Sequence, residues 1–138
     1  MESRLSDLGK YRLQRAKETL LTAESNLSNG QYVDSLNRSY YAVFHAIRAV
    51  NSLLGFDSKK HSGVIAFFNK NFVKSGVFDK SMADIIKGTS LFRTRSDYED
   101  FFIASRHDAE TQLSNAKIFV NAVSDFLEQY DNRGGEQA

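Results

Sequence analysis

The sequence predicts an all-α fold, an antiparallel up-and-down bundle of four main helices plus one short helix. Three observations predict it. The 138 residues include no proline, so nothing forces an element to stop on proline grounds. Apolar residues recur at spacings of three and four through most of the chain, the mark of helices with one buried face. Between those stretches lie short Gly, Asn and Ser punctuations, and no low-complexity tract or linker separates a second unit. A single domain over residues 1–130 follows, with a disordered tail over 131–138.

The element around which the others pack is the second helix, from about Tyr32 to Leu54. Leu36, Tyr40, Val43, Phe44, Ile47, Val50 and Leu54 form a wide apolar stripe. Ser39, Ala42, Ala46 and Ala49 form a stripe of small residues that admits a neighbouring backbone. Arg38, Tyr41, His45 and Arg48 form a polar ridge on a third side. A helix with three such faces has neighbours on more than one side.

Ahead of it, residues 1–29 read as a first helix. Leu5, Leu8, Ala16, Leu20, Ala23 and Leu27 lie inward, with Arg12, Arg15, Lys17, Glu18 and Glu24 outward, and Gly30 closes it. After Gly55 comes a polar basic corner, residues 59–62. Val64, Ile65, Phe67, Phe68 and Phe72 then make the short helix, ended by Ser75 and Gly76. Phe78, Met82, Ile85 and Ile86 give a further helix, with Asp79 at its positive end and Gly88 to Ser90 interrupting or ending it. Leu91 to His107 has no clean period and reads as partly irregular, with helix at either end. In the last helix Ala109, Leu113, Ala116, Val120, Val123, Leu127 and Tyr130 alternate spacings of four and three, with Asp108 as expected N-cap.

Composition removes several function classes. Zero cysteines exclude a disulfide framework and any thiolate ligand or nucleophile. The sequence lacks a signal-peptide hydrophobic region, and its longest apolar runs fall well short of the about 20 residues that cross a bilayer, so a cytoplasmic protein is expected. The net charge of +1 conceals an asymmetry: +2 over residues 1–55, +3 over 56–107 and −4 over 108–138. A basic middle beside an acidic last helix permits nucleic acid without demanding it.

Motif chemistry is sparse. His45, His61 and His107 fall in three segments without HExxH spacing, so no metal is expected, and no cofactor either. GxGxxG, GxxxxGK and GxSxG are all absent. The ridge Arg38, Tyr41, His45, Arg48 places guanidinium, phenol and imidazole within two turns, a set able to hold a phosphate and move a proton. Metal-free RNA cleavage needs little more, a base for the 2′-hydroxyl and a cation for the phosphorane. The same side chains also read as ordinary helix-packing residues with solvated arginines. Arg93, Arg95, Asp97 and Tyr98, with Arg106 and His107 downstream, form a second cluster, either a salt-bridge clamp or a ligand-binding corner. The aromatics Phe67, Phe68, Phe72, Phe101 and Phe102 suit a core or a subunit interface better than a base-stacking platform.

Together the runs GQYVDSLNR (30–38), SYYAVFHAIRAV (39–50) and RTRSDY (93–98), with the apolar last helix, resemble the HEPN-domain family, over about Leu8 to Tyr130. The resemblance is to small stand-alone members with paired tyrosines in the second helix. It implies a helical bundle that forms a homodimer and is often encoded beside a minimal nucleotidyltransferase, as in toxin–antitoxin pairs. Many members are metal-independent endoribonucleases that use an arginine and a histidine four to six residues apart near a late helix.

This sequence departs from that motif. Arg95 matches the late arginine, but no histidine lies four to six residues beyond it, and His107 is twelve positions on. Arg38 and His45 have six residues between them but lie in the second helix. The expected function is therefore a non-catalytic, dimeric, nucleotide- or RNA-associated module acting with a nucleotidyltransferase. Its binding residues would be Arg38, Tyr41, His45, Arg95, Asp97 and Tyr98. The alternatives are a metal-independent endoribonuclease toxin, drawing on His45, Arg38, Arg95 and His107, and a structural oligomerisation adaptor.

Overall fold

A computed structural model describes the backbone of residues 4–137 and the side chains of residues 4–132. Its helices are α1 (Asp7–Ser28), α2 (Tyr32–Asn51), α3 (His61–Phe68), α4 (Ser81–Tyr98) and α5 (Arg106–Gln137). A 3₁₀ turn, Ser52–Leu54, follows α2, and α3 widens into a π turn, Asn69–Val73. The fold is all-helical, as expected. No helix among the described residues is long and apolar enough to cross a membrane.

Local chemistry sets the boundaries. Ser6 caps α1 by accepting a hydrogen bond from the Gly9 N–H at 3.1 Å. Gly30, at φ 73°, and Gly55, at φ 67°, take the left-handed conformations that turn the chain after α1 and α2. The Asp79 carboxylate accepts from the Ser81 N–H at the start of α4, as its position predicts. The last helix begins earlier than expected. Ser105, not Asp108, is its cap, its hydroxyl accepting from the Asp108 N–H at 3.0 Å. Residues 1–3 of the expected first helix, and Ala138 of the expected tail, lie outside the described residues. The backbone of α5 stays helical through Gln137, beyond the Asp131 boundary that the sequence suggests.

Two ties fix α1 against α2. The Ser35 hydroxyl donates to the Ala23 carbonyl at 2.8 Å, and Arg12 donates to the Arg48 carbonyl at 3.3 Å. The paired positions run in opposite senses, so the two helices are antiparallel. Leu5 to Asp131 and Lys117 to Glu24 give the same antiparallel sense for α1 and α5. The small stripe of α2 makes this closeness possible: Ser39, Ala42, Ala46 and Ala49 are all completely buried. Its apolar stripe is buried too, except Leu54, which lies exposed in the 3₁₀ turn. Burial of such large side chains, at about 1.5–3 kcal/mol each, is the main force ordering the bundle around α2.

Two sequence expectations need correction. Spacing puts Arg12 on the solvent side of α1, yet it is only 6% exposed, because it reaches across α2 to a carbonyl and a carboxylate. Leu8 is half exposed instead. The second correction concerns Gly88 to Ser90, which does not end its helix, since α4 runs on to Tyr98. Gly88 serves packing: a Cβ there would lie 3.3 Å from the Gln112 side-chain oxygen of α5. Thr89 turns its hydroxyl back to the Ile85 and Ile86 carbonyls and is buried.

Candidate functional site

The unbroken α4 carries Arg93 onto the paired tyrosines of α2. Arg93 Nη2 donates to the Tyr41 hydroxyl at 3.3 Å, and its guanidinium lies 5.1 Å from the centre of the Tyr40 ring and 5.5 Å from that of Tyr41. Asp97, one turn along, forms an ion pair with Arg93, its Oδ2 lying 3.3 Å from Nε without a hydrogen bond to it. Arg38 covers Tyr41 as well, at 5.0 Å, and is steadied by two hydrogen bonds to the Asn37 side-chain oxygen. One phenol thus lies between two guanidiniums, each cation–π contact worth about 0.5–1 kcal/mol.

Tyr40 faces the other way, into the core. Its hydroxyl lies 2.8 Å from Nδ1 of His61, the first residue of α3. The His61 ring stacks on Phe44 at 4.0 Å and stands edge-on to Tyr41 at 5.8 Å. Burial pushes the Tyr40 phenol up to about 12, with the Arg93 charge pulling the other way. His61 is lowered by burial, then by Arg93 and Arg48. At neutral pH both groups are therefore uncharged. The contact takes either sense: the phenol donates to Nδ1 in one tautomer of His61 and accepts from Nδ1–H in the other. Where the phenol donates, His61 is the Nε2–H tautomer, a donor with its remaining nitrogen.

His45 is the most perturbed histidine. Burial, followed by Arg15, Arg48, Arg38 and Arg12, lowers it to about 4. Its ring lies 6.4 Å from that of Tyr41, so it borders the cluster while remaining a neutral imidazole. Below it, Arg12 and Arg48 share one carboxylate. Both Nη2 atoms lie 2.9 Å from Asp57 Oδ2, and Arg48 Nε donates to Oδ1 at 3.3 Å. This pairing holds the Asp57 carboxyl below its usual range, the Arg48 hydrogen bond being the largest cause.

Of the residues singled out in the sequence, Arg38, His45 and Arg93 gather around Tyr41, and Asp97 pairs with Arg93. Arg95 is engaged elsewhere, paired with Glu99 at 3.2 Å and lying 5.1 Å over Phe102. Tyr98, 79% exposed, ends α4, and His107 is exposed in the first turn of α5. The ion pairs of the second cluster, Arg93–Asp97, Arg95–Glu99 and Arg106–Glu110, are local i,i+4 pairs, so none of them clamps one helix to another. His61, Arg12 and Asp57 are site residues that spacing does not reveal. Only the buried Tyr40 hydroxyl, which requires a partner, points to one of them. Among the described residues no cluster of three His, Asp or Glu side chains is placed to hold a metal.

Comparison with known proteins places this geometry in a family. The chain is 31% identical over 111 residues to a Methanocaldococcus jannaschii protein named "Putative toxin", covering 80% of this chain and 76% of that one. It is 30% identical over 119 residues to a UPF0332 protein of Thermotoga maritima, covering 86% and 90%. A solved Thermus thermophilus structure, TT1696, superposes with a TM-score of 0.73 at 17% identity, over 88% of this chain and 99% of that one. A crystal structure described as an archaeal HEPN homologue gives 0.62 at 17% identity, over 92% and 99%. Those two likenesses concern the fold. The family model for the HEPN domain matches residues 10–127, and the chain belongs to the HEPN domain family.

Proposed function

We propose that this protein is a non-catalytic, homodimeric HEPN module of a toxin–antitoxin-type pair. It engages a nucleotide or RNA, and a minimal nucleotidyltransferase partner, through the surface around Arg38, Tyr41 and Arg93. Relatives named "Putative toxin" support the setting. The observation that carries the binding role is the flanking of Tyr41 by Arg38 and Arg93. Two planar guanidiniums beside an aromatic edge suit phosphate and base recognition. The imidazole that feels the Arg93 charge is His61, whose Nδ1 is occupied by Tyr40. One of its two nitrogens is thus committed to the fold, which supports a binding role over a general-base role for it at this surface.

The test is incubation of the purified full chain with labelled RNA in EDTA, alongside fluorescence anisotropy of the same RNA and of a labelled adenosine nucleotide. Binding without cleavage is expected, and Arg93→Ala weakens it. Cleavage leaving 2′,3′-cyclic phosphate ends, lost in His45→Ala, would overturn the non-catalytic reading. One observation favours that second reading, a metal-independent endoribonuclease. Held at about 4, His45 is in its proton-accepting form throughout the physiological range.

A further inference from the structure

Behind the aromatic cluster, between α2 and the segment leading into α3, lies a cleft of about 470 Å³ lined by Phe44, Arg48, Asp57, Ser58, Lys59 and His61. Its volume falls within the range of small-molecule sites, about 300–1,000 Å³. The polar groups that line it are almost all donors. Arg48 commits Nε and Nη2 to Asp57, which leaves Nη1 unspent. Lys59 is exposed and has no ion-pair partner among the described residues. His61 has Nδ1 tied to the Tyr40 hydroxyl, and where the phenol is the donor its other nitrogen carries a proton to give. The Ser58 hydroxyl accepts from the Lys60 N–H at 3.2 Å and keeps its own proton to give.

The lone acceptor, Asp57, is already saturated. It takes both arginines and the Ser58 N–H at 2.9 Å. It also shows what the region attracts, a carboxylate held between two guanidiniums. Counting Arg12 behind Asp57, three full positive charges meet one negative charge here, with a neutral donor imidazole added. A neutral or cationic ligand would find nothing to accept its protons. A planar monoanion would use two donors and leave two unmet, whereas a tetrahedral phosphate can take all four.

We propose that this cleft is a binding site for a phosphate monoester dianion, held by Arg48, Lys59, His61 and Ser58, with the stacked Phe44–His61 pair as wall for the esterified group. The site is distinct from the Arg38–Tyr41–Arg93 surface and does not depend on that surface binding RNA. Free phosphate, a mononucleotide and a 5′-phosphorylated oligonucleotide present the same dianion, and the experiment separates them.

The test is an amide and side-chain nitrogen–proton NMR titration of the full chain at pH 7.5. The probes are inorganic phosphate, adenosine 5′-monophosphate, and one short oligonucleotide with and without its 5′-phosphate, at matched ionic strength with chloride as control. Saturable shifts confined to residues 57–61 and the Arg48 side chain are expected. The monoesters should bind more tightly than inorganic phosphate, and the 5′-hydroxyl oligonucleotide should leave these signals still. Lys59→Gln, at an exposed position that leaves the fold intact, should weaken binding about tenfold, the scale of one charge-assisted hydrogen bond. Lys59→Glu should abolish it. Equal affinity in wild type and Lys59→Gln, or equal shifts with chloride, would overturn the site. Tighter binding of inorganic phosphate than of either monoester would overturn the assignment to an ester. Loss of RNA binding in Arg93→Ala with phosphate shifts unchanged would show that the two sites are separate.

Discussion

The Tyr40 hydroxyl and Nδ1 of His61, 21 positions apart in sequence, meet at 2.8 Å across the junction of α2 and α3. This contact ties the core to the surface. Tyr40 is one of the most deeply buried aromatics, and the imidazole it orients reaches the phosphate-sized cleft. The contact selects one tautomer of the ring, since Nδ1 must either accept from the phenol or donate to it. Tyr40→Phe should release the tautomer while the His61 pKa stays lowered, because burial and the Arg93 and Arg48 charges that lower it remain. Long-range nitrogen–proton NMR of the imidazole checks both. The cost in stability should be about 1 kcal/mol, that of one hydrogen bond.

His45 supplies a pH dependence with a definite sign. Its value in the folded chain is about 4, against 6.5 ordinarily, so between these values the unfolded chain binds the extra proton. Stability is then full above about pH 6.5 and falls as the pH drops toward 4. Allowing for partial exposure, about 2 kcal/mol should be lost over that window. His61, also lowered, acts in the same direction. Urea midpoints at pH 7 and pH 4.5 measure the slope, and His45→Gln should flatten it. An unchanged slope in that variant would place the proton elsewhere.

Asp57 holds two arginines, one of them nearly buried. Asp57→Asn keeps the shape and removes the charge, leaving Arg12 inside the bundle without its anion. Breaking a buried pair by one partner costs about 3–5 kcal/mol, and the half-exposed carboxylate reduces this to about 2 kcal/mol. Because its folded pKa is lowered, the contribution of Asp57 is present above the ordinary carboxylate value and is lost as pH falls through the lowered one. Chemical denaturation of Asp57→Asn and Arg48→Met would show whether Arg12 or Arg48 bears more of the loss.

Much of the bundle can be read from spacing alone, and the exceptions have physical causes. The stripes of α2 up to Val50 and the seam of α5 from Ala109 to Leu127 emerge buried as the periodicity requires, because many equivalent apolar positions repeat the same signal. Arg12 breaks the pattern because a long guanidinium can cross a helix stripe of small residues to reach carbonyl and carboxylate. At the site, reading Gly88 as a helix end loses the register of α4. Carried through, Met82, Ile86, Thr89 and Arg93 fall on one face, and Arg93, not Arg95, arrives at the tyrosines. His61 sits in a polar corner with no period at all, so only the unmet hydroxyl of Tyr40 can locate it.

Among the described residues Phe101 is the non-glycine residue with positive φ, 59°, and it is 99% exposed. A side chain so exposed buries almost no surface to offset that backbone strain. Phe101→Gly should then stabilise the dilute protein by about 0.5 kcal/mol, the left-handed penalty less the entropy glycine adds to the unfolded chain. Thermal unfolding at low and high protein concentration reads it. If the variant is instead less stable, and increasingly so at high concentration, Phe101 is packed against a second copy, which would support the proposed dimer.

The last prediction separates the two arginines of the late motif. Arg93 bridges Tyr41 and Asp97 beside the Tyr40 ring, whereas Arg95 pairs with Glu99 over Phe102. If the surface on α2 binds nucleotide or RNA, Arg93→Lys should weaken binding at least about tenfold, because an ammonium cannot keep the planar fork shared by a phenol, a carboxylate and a phosphate. Arg95→Lys should change it by less than about twofold, since a surface pair contributes at most about 1 kcal/mol and survives the substitution. Anisotropy with a labelled oligonucleotide at two salt concentrations gives the answer. A larger loss in Arg95→Lys would move the binding surface to the α4–α5 turn, beside Tyr98 and Phe102, and remove Tyr41 from it.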